Sequence, residues 1–377
     1  MVCTSFIIKV TSRCNLNCSY CYMFNKGDTT FQSKPKIMLR ETAILALNKI
    51  YSYSMKHKIS EIDVVLHGGE PLLSGKEWVS WFLEKSEELK PANLRVAYCI
   101  QTNGTLLDNE WISIFKSRSV NIGISLDGER EIHDQNRIDH NGNGSYEKVT
   151  KGIDLLLKSG YKKWGVLVVA DPEISGEDVY NHLLDLGVKN MDFLWPSYNH
   201  DNPPKKSEKS LAEYYISVFK AWYSDKNVEI NIRWFSNVIR LLLSGNSRLD
   251  CVGPVPLNQV VIETDGSIEP ADMLRTCRDG LTRLSLNVLE NNIDELIQTD
   301  LFQKCLQNQE LLPLNCKSCS IYKVCGGGYM ADRWKTETGF SNSSVHCADL
   351  YDVITYIRYQ VVEDLNDSNI KYQIIQE

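Results

Sequence analysis

Cys14, Cys18 and Cys21 stand in the run Thr11-Ser12-Arg13-Cys14-Asn15-Leu16-Asn17-Cys18-Ser19-Tyr20-Cys21-Tyr22, a C-x3-C-x2-C spacing. Three thiolates on one short loop offer three corners of an iron–sulfur cube. Because a closed cube takes four cysteines, the fourth iron is left open to a small ligand. Two plainer readings use the same residues: a zinc site needing a fourth ligand nearby, or buried thiols. A second set, Cys316, Cys319 and Cys325 in C-x2-C-x5-C followed by Cys347, offers four thiolates. Four can close a cluster completely or hold zinc in a ribbon.

The elements that must position these groups are legible as alternating patterns. Apolar runs predict strands at Phe6–Val10, Ile62–Leu66, Leu94–Ile100, Val120–Ile124, Trp164–Val169 and Met191–Leu194. Amphipathic stretches between them predict helices such as Arg40–Ser54, Glu77–Leu89, Asn109–Lys116, Ser145–Ser159 and Gly176–Leu186. Strands alternating with helices argue for an α/β fold with a parallel sheet, which binds ligands at the carboxyl ends of its strands.

The predicted strand ends carry polar groups. His67-Gly68-Gly69-Glu70-Pro71 follows the second strand; its glycines let backbone approach a ligand, and Glu70 can accept from an ammonium group. Asn103 and Ser125 end the next two strands, where such residues bond hydroxyls or simply make turns. Arg137, in His133-Asp134-Gln135-Asn136-Arg137, could grip a carboxylate. A polar break at Tyr198–Ser207 leads to two helices, about 209–225 and 235–244. A cysteine-rich segment then starts near Cys251 and ends in a helix over about 348–365.

Net charge is −7 and there is no long basic run, which argues against a nucleic-acid partner. The N-terminus lacks the features of a signal peptide, and no stretch is long enough for a membrane span. Twelve cysteines in such a chain point to metal and not disulfides, and to a cytoplasmic protein.

The cysteine loop, the Gly68-Gly69-Glu70-Pro71 turn and the two polar strand ends, in this order, resemble the radical S-adenosylmethionine (SAM) enzymes, and the C-terminal cysteines resemble their SPASM extension. The resemblance implies a partial (β/α)6 barrel over residues 1–200, a helical bridge over 201–250 and a SPASM-type domain over 251–377. It implies a [4Fe–4S] cluster on Cys14, Cys18 and Cys21 with SAM at the open iron. SAM contacts fall to Tyr20, Gly68, Gly69, Glu70, Asn103, Ser125 and Arg137. An auxiliary [4Fe–4S] cluster falls to Cys316, Cys319, Cys325 and Cys347.

A usual first auxiliary cluster is missing ligands, since Ala271 and Tyr329 stand where cysteines are expected. Cys251 and Cys277 remain as ligands of a non-standard second one. Cys3, Cys99 and Cys305 read as structural. Asp272 matches the aspartate that serves as a base in sulfatase-maturing enzymes.

Three stretches narrow the expectation further: residues 265–272, Cys325-Gly326-Gly327-Gly328-Tyr329 with Arg333, and residues 342–350. They resemble the FxsB, Grr and Xye maturases of ribosomally made peptides. That resemblance implies a cyclophane, a carbon–carbon bond between a side-chain Cβ and an aromatic ring. The partners it implies are a precursor peptide with a leader and a flavodoxin- or ferredoxin-like electron donor. The alternative is a sulfatase-type maturase that oxidises Ser or Cys to formylglycine. A non-enzymatic zinc-binding module is the reading from another class.

Overall fold

A computed structural model describes residues 2–205, 207–247 and 249–367. Met1 of the first expected strand, Lys206 of the polar break and the end of the 251–377 segment lie outside the described residues. Nine strands follow one another along the chain: β1 Ser5–Thr11, β2 Glu61–Gly68, β3 Arg95–Thr102, β4 Asn121–Ser125, β5 Trp164–Val169, β6 Asn190–Leu194, β7 Asn231–Ile232, β8 Gln259–Ile262 and β9 Ile268–Pro270. The first six lie within a residue or two of the apolar runs. The chain divides into two units, and β5 crosses from one to the other.

The first unit comprises 1–126, 130–166 and 258–306. Its strands run in the order β4-β3-β2-β1-β8-β9. All neighbours pair in parallel except β8 with β9, which form an antiparallel pair. Parallel pairing brings the C-terminal ends of β1, β2, β3 and β4 to one edge, so Thr11, Gly68, Thr102 and Ser125 share it.

Central β1 is the most enclosed strand. Phe6, Ile8 and Val10 are fully buried on one face, and Lys9, pointing to the other, is equally buried. An ammonium in such a place needs an ionic partner, because desolvating it alone costs several kcal/mol. The crossover helices cover the sheet with amphipathic faces. Arg40–Lys56, for example, buries Ala43, Ala46, Leu47 and Ile50 at helical spacing.

The second unit comprises 127–129, 167–257 and 307–377. It holds β6 and β7 in parallel register and four longer helices: Gly176–Asp185, Leu211–Asp225, Arg233–Leu242 and Cys347–Asp367. Helix Leu211–Asp225 starts at a capping box between Ser210 and Glu213. An aromatic core locks it in place: Trp195 stacks on Tyr215 at 4.2 Å, and Tyr215 meets Trp234 at 5.5 Å. Among the described residues no helix is long and apolar enough to cross a membrane.

Candidate active site

The cysteine loop leaves β1 at Thr11 and runs directly over the Gly-Gly turn that ends β2. The Gly69 and Glu70 amides donate to the carbonyls of Thr11 (3.1 Å) and Arg13 (2.9 Å), and Thr11 Oγ1 donates to the Glu70 carbonyl at 2.9 Å. A Cβ on Gly68 would stand 2.2 Å from the Thr11 oxygen, and one on Gly69 2.1 Å from the Arg13 oxygen. The glycines are therefore required by the approach of the loop itself. On its other side the loop is tied to the segment holding Arg137, through Asn17 to the Ile138 carbonyl (2.7 Å) and Ser19 to the Asn136 carbonyl (3.1 Å).

Several sequence-distant groups meet around the first cysteine. Cys14 Sγ accepts from the Leu16 amide at 3.4 Å and faces Asn103 Nδ2 at 3.7 Å. Asn103 also holds Asn15 Oδ1 at 2.9 Å. The Arg137 guanidinium lies 5.3 Å from the centre of the Tyr20 ring, a cation–π contact. Ser125 Oγ accepts from Gln101 Nε2 at 3.2 Å on the same strand edge.

Burial, with smaller contributions from Glu70 and the neighbouring cysteines, pushes the Cys14 thiol up to about 12. Such a sulfur stays protonated at neutral pH unless a metal takes the proton's place. A loop of three thiols with N–H groups aimed at one of them fits an iron–sulfur centre, whose sulfurs are tuned by such hydrogen bonds.

Glu70 is wholly enclosed. Burial pushes its carboxyl up to about 7 against the opposing effect of three hydrogen bonds. Those bonds come from the Asn103 amide (2.7 Å), Thr102 Oγ1 (2.7 Å) and the Leu72 amide (3.0 Å). The side chain thus fastens the end of β2 to the end of β3, and the carbonyls of the turn remain the groups that face outward from it.

Asp272, just beyond β9, is the centre of a buried ionic lattice in the same unit. Its Oδ2 accepts from Lys9 Nζ and from Tyr22 Oη (2.6 Å); Oδ1 accepts from Arg275 Nε at 2.9 Å. Burial alone would raise this carboxyl, but Lys9 and Arg275 outweigh it and hold the group well below the usual carboxylate range.

Arg275 continues the lattice to Asp28 at 3.0 Å, to Glu269 at 2.5 Å and to Glu263. Lys9 Nζ also lies 3.0 Å from His67 Nδ1. Burial and that ammonium push His67 down to about 3, so the ring is neutral. Lys9, Tyr22, His67 and Arg275 are functional candidates that the sequence reading passed over. The signal for Lys9 was available as a lone charge inside the apolar run Phe6-Ile7-Ile8-Lys9-Val10.

In the second unit Cys316, Cys319, Cys325 and Cys347 line one cavity together with Ile321, Tyr322, Leu350 and Tyr351. Burial pushes Cys325 up to about 12, with the other three thiols adding to it. No group of three or more His, Cys, Asp or Glu among the described residues has the spacing of a single-ion site. Cys251, also in this unit, is buried with its thiol against the Tyr329 hydroxyl; burial raises both groups well above their ordinary values. Cys277 lies in the first unit and is likewise buried. Cys3 and Cys305 are buried and Cys99 half-buried.

Residues 8–186 match the model of the Radical SAM superfamily. The cysteine-type anaerobic sulfatase-maturating enzyme of Clostridium novyi is 27% identical over 91% of this chain and 92% of its own length. That of Clostridium perfringens strain 13 is 26% identical over 97% and 99%. The serine-type enzyme of Klebsiella aerogenes is 26% identical over 84% and 76%. Among solved structures, native anSMEcpe with bound AdoMet and Cp18Cys peptide superposes with a TM-score of 0.83, at 24% identity over 96% of this chain and 99% of that one. SuiB of Streptococcus suis bound to S-adenosylmethionine reaches 0.59 at 16% identity, over 88% and 73%.

These relatives overturn the cyclophane expectation, since sulfatase maturation is the activity that the similar enzymes carry. The three stretches that suggested it do scaffold work, and this is why they misled. A Cβ on Gly326 would stand 1.9 Å from the Gly253 oxygen, and one on Gly327 2.6 Å from Leu312. Arg333 is buried and donates to the Asn308 carbonyl, Asn342 donates to the Arg333 carbonyl, and His346 meets the Pro196 carbonyl. In residues 265–272, Asp265 caps the Ser267 amide of the turn between β8 and β9. Motifs that satisfy backbone groups say little about which substrate enters. The non-enzymatic zinc module is set aside by the same comparisons: this chain is a radical SAM enzyme, and its residues 8–186 belong to the Radical SAM superfamily.

Proposed function

We propose that this chain oxidises the side chain of a cysteine, or of a serine, in a peptide substrate to formylglycine. The observation that carries the reading is the 2.6 Å hydrogen bond from Tyr22 to Asp272, which sets a buried carboxylate beside the residue that follows Cys21. Similarity to cysteine-type sulfatase-maturating enzymes along 91% and 97% of the chain supports it.

In this reading Cys14, Cys18 and Cys21 hold a [4Fe–4S] cluster with SAM on its open iron. Tyr20, Gly68, Gly69, Asn103, Ser125 and Arg137 surround the SAM. Cys316, Cys319, Cys325 and Cys347 hold an auxiliary cluster. The bound groups supply a radical that removes one Cβ hydrogen atom and an acceptor for one further electron.

The chain's own side chains handle the proton. Asp272 accepts it from the substrate's thiol or hydroxyl group, as a general base must from within hydrogen-bond reach. Lys9, Tyr22 and Arg275 hold both carboxylate oxygens in place, so the base is oriented before substrate arrives. Their charges make it a weak base at rest. A thiol beside a carbon that has lost a hydrogen atom is much more acidic than an ordinary thiol, so a weak base suffices.

Anaerobic incubation of the cluster-loaded protein with SAM, a reductant and the Cp18Cys peptide tests the proposal by mass spectrometry. The expected product carries an aldehyde at the cysteine that hydrazine traps. An unmodified peptide alongside released 5′-deoxyadenosine, repeated with the serine counterpart, overturns it.

A further inference from the structure

We infer that Lys9 and His67 form a proton relay behind Asp272, carrying the proton that Asp272 accepts to the imidazole of His67. The inference rests on the proposed maturase reaction and assigns parts to two residues outside the cysteine and glycine motifs.

Lys9 Nζ has three neighbours: Asp272 Oδ2, His67 Nδ1 at 3.0 Å and the Met23 sulfur at 3.4 Å. His67 Nδ1 also accepts from the Gly68 amide at 2.8 Å, so its lone pair is on the Lys9 side and its ring proton is on Nε2. Carboxylate, ammonium and neutral imidazole thus stand in sequence, each with a partner for one proton.

Exposure sets the direction. Asp272 is 4% exposed and Lys9 fully buried, whereas His67 is partly open, which makes the imidazole the exit. The other groups facing Asp272 are Tyr22 and Arg275; Cys21 and Glu263 also feel the charge of Lys9. Arg275 cannot release a proton, and the Tyr22 hydroxyl already donates to Oδ2. Lys9 is the neighbour able to exchange one.

In the step, the substrate S–H (or O–H) bond breaks and an O–H bond forms on Asp272. A Lys9 N–H bond breaks as an N–H bond forms on His67 Nδ1, and the Asp272 proton then moves to Lys9. Asp272 and Lys9 regain their starting charges, and His67 holds the proton. The hydrogen atom and the electron lost by the substrate go to the SAM-derived radical and to an iron–sulfur cluster.

His67→Gln keeps an acceptor toward Gly68 and Lys9 but cannot hold a proton, so it separates the relay from folding; Lys9→Met removes the middle member. Oxidised peptide and 5′-deoxyadenosine are counted separately in wild type, both single variants and the double variant. The 15N spectrum of His67 is recorded in the protein without its cofactors.

The relay predicts that kcat for oxidised peptide falls about tenfold or more in each variant, the lower end of what a proton-transfer partner contributes. KM should stay within about twofold, and 5′-deoxyadenosine should still form. The double variant should be no slower than the slower single one, and Nδ1 should resonate as an unprotonated nitrogen. Wild-type turnover in His67→Gln, or a protonated Nδ1, overturns the relay alone. A wild-type enzyme that oxidises neither cysteine nor serine peptides overturns the maturase reading and the relay together.

Discussion

Three cysteines in the first unit and four in the second have similar short spacings but very different surroundings. The loop of Cys14, Cys18 and Cys21 is set among polar groups: the Asn103 amide, the Arg137–Tyr20 pair, and the carbonyls of a turn whose glycines admit the loop at close range. The pocket of Cys316, Cys319, Cys325 and Cys347 has walls of Ile321, Tyr322, Leu350 and Tyr351. A polar surround suits a site that takes a further polar ligand. Apolar walls suit a centre that is complete with its own thiolates and changes only its charge. Cysteine spacing names the ligands, and the neighbouring side chains determine what the centre can do.

Removing each set separately breaks the comparison most severely. Replacing Cys14, Cys18 and Cys21 by alanine should abolish 5′-deoxyadenosine formation. Replacing Cys316 and Cys347 should leave that reaction but stop peptide oxidation. Each change should remove about four irons per chain by iron and sulfide analysis. Loss of SAM cleavage in the second variant would show that the two sites are not separable in this way.

Asp272→Asn is next in size. Product formation should fall about 10²- to 10⁴-fold, as for a lost general base, while SAM cleavage persists. It also leaves Lys9 and Arg275 buried with one anion fewer, so unfolding should become easier by about 3 kcal/mol in a denaturant titration.

Gly69→Ala probes the packing of the first loop directly. A Cβ placed 2.1 Å from the Arg13 oxygen forces the cysteine loop away from β2. The expected loss is about 1–3 kcal/mol of stability, with lower iron content after reconstitution. Retained iron and an unchanged melting curve would show that the loop yields without cost.

The smallest effect concerns Glu70. Its folded carboxyl, at about 7, lies above its ordinary value of 4.5, so the folded chain binds more protons than the unfolded one between those limits. Stability therefore falls as pH rises from about 4.5 through 7, by about 1–3 kcal/mol from this group. Glu70→Gln should remove that slope, making the variant relatively more stable at pH 8 than at pH 5 in paired melts. A parallel pH profile would place the titration elsewhere.

Much of this was legible in one dimension. Alternating apolar runs marked six strands because a two-sided parallel sheet needs continuous apolar segments. The Gly68-Gly69 turn showed because only glycine admits such close backbone approach. The substrate reading failed because Gly326, Gly327, Arg333 and His346 serve backbone geometry shared across a fold. Glu70 read as a ligand group, yet its oxygens are held by Thr102, Asn103 and Leu72, contacts between strands that no local pattern records.

The sequence by itself determined the thiol sets, the order of strand-end motifs and the α/β class, since each depends on residue type and short spacing. Only the tertiary structure decided that Asp272, 263 residues from Lys9, closes onto it, and that His67 and Arg275 complete the lattice. It also decided that residues 258–306 belong with the cysteine loop in the first unit. The physical reason is that a buried ion finds its partner wherever chain packing brings an opposite charge. That pairing follows from the order of strands in a sheet, with β8 beside β1, and not from distance along the chain.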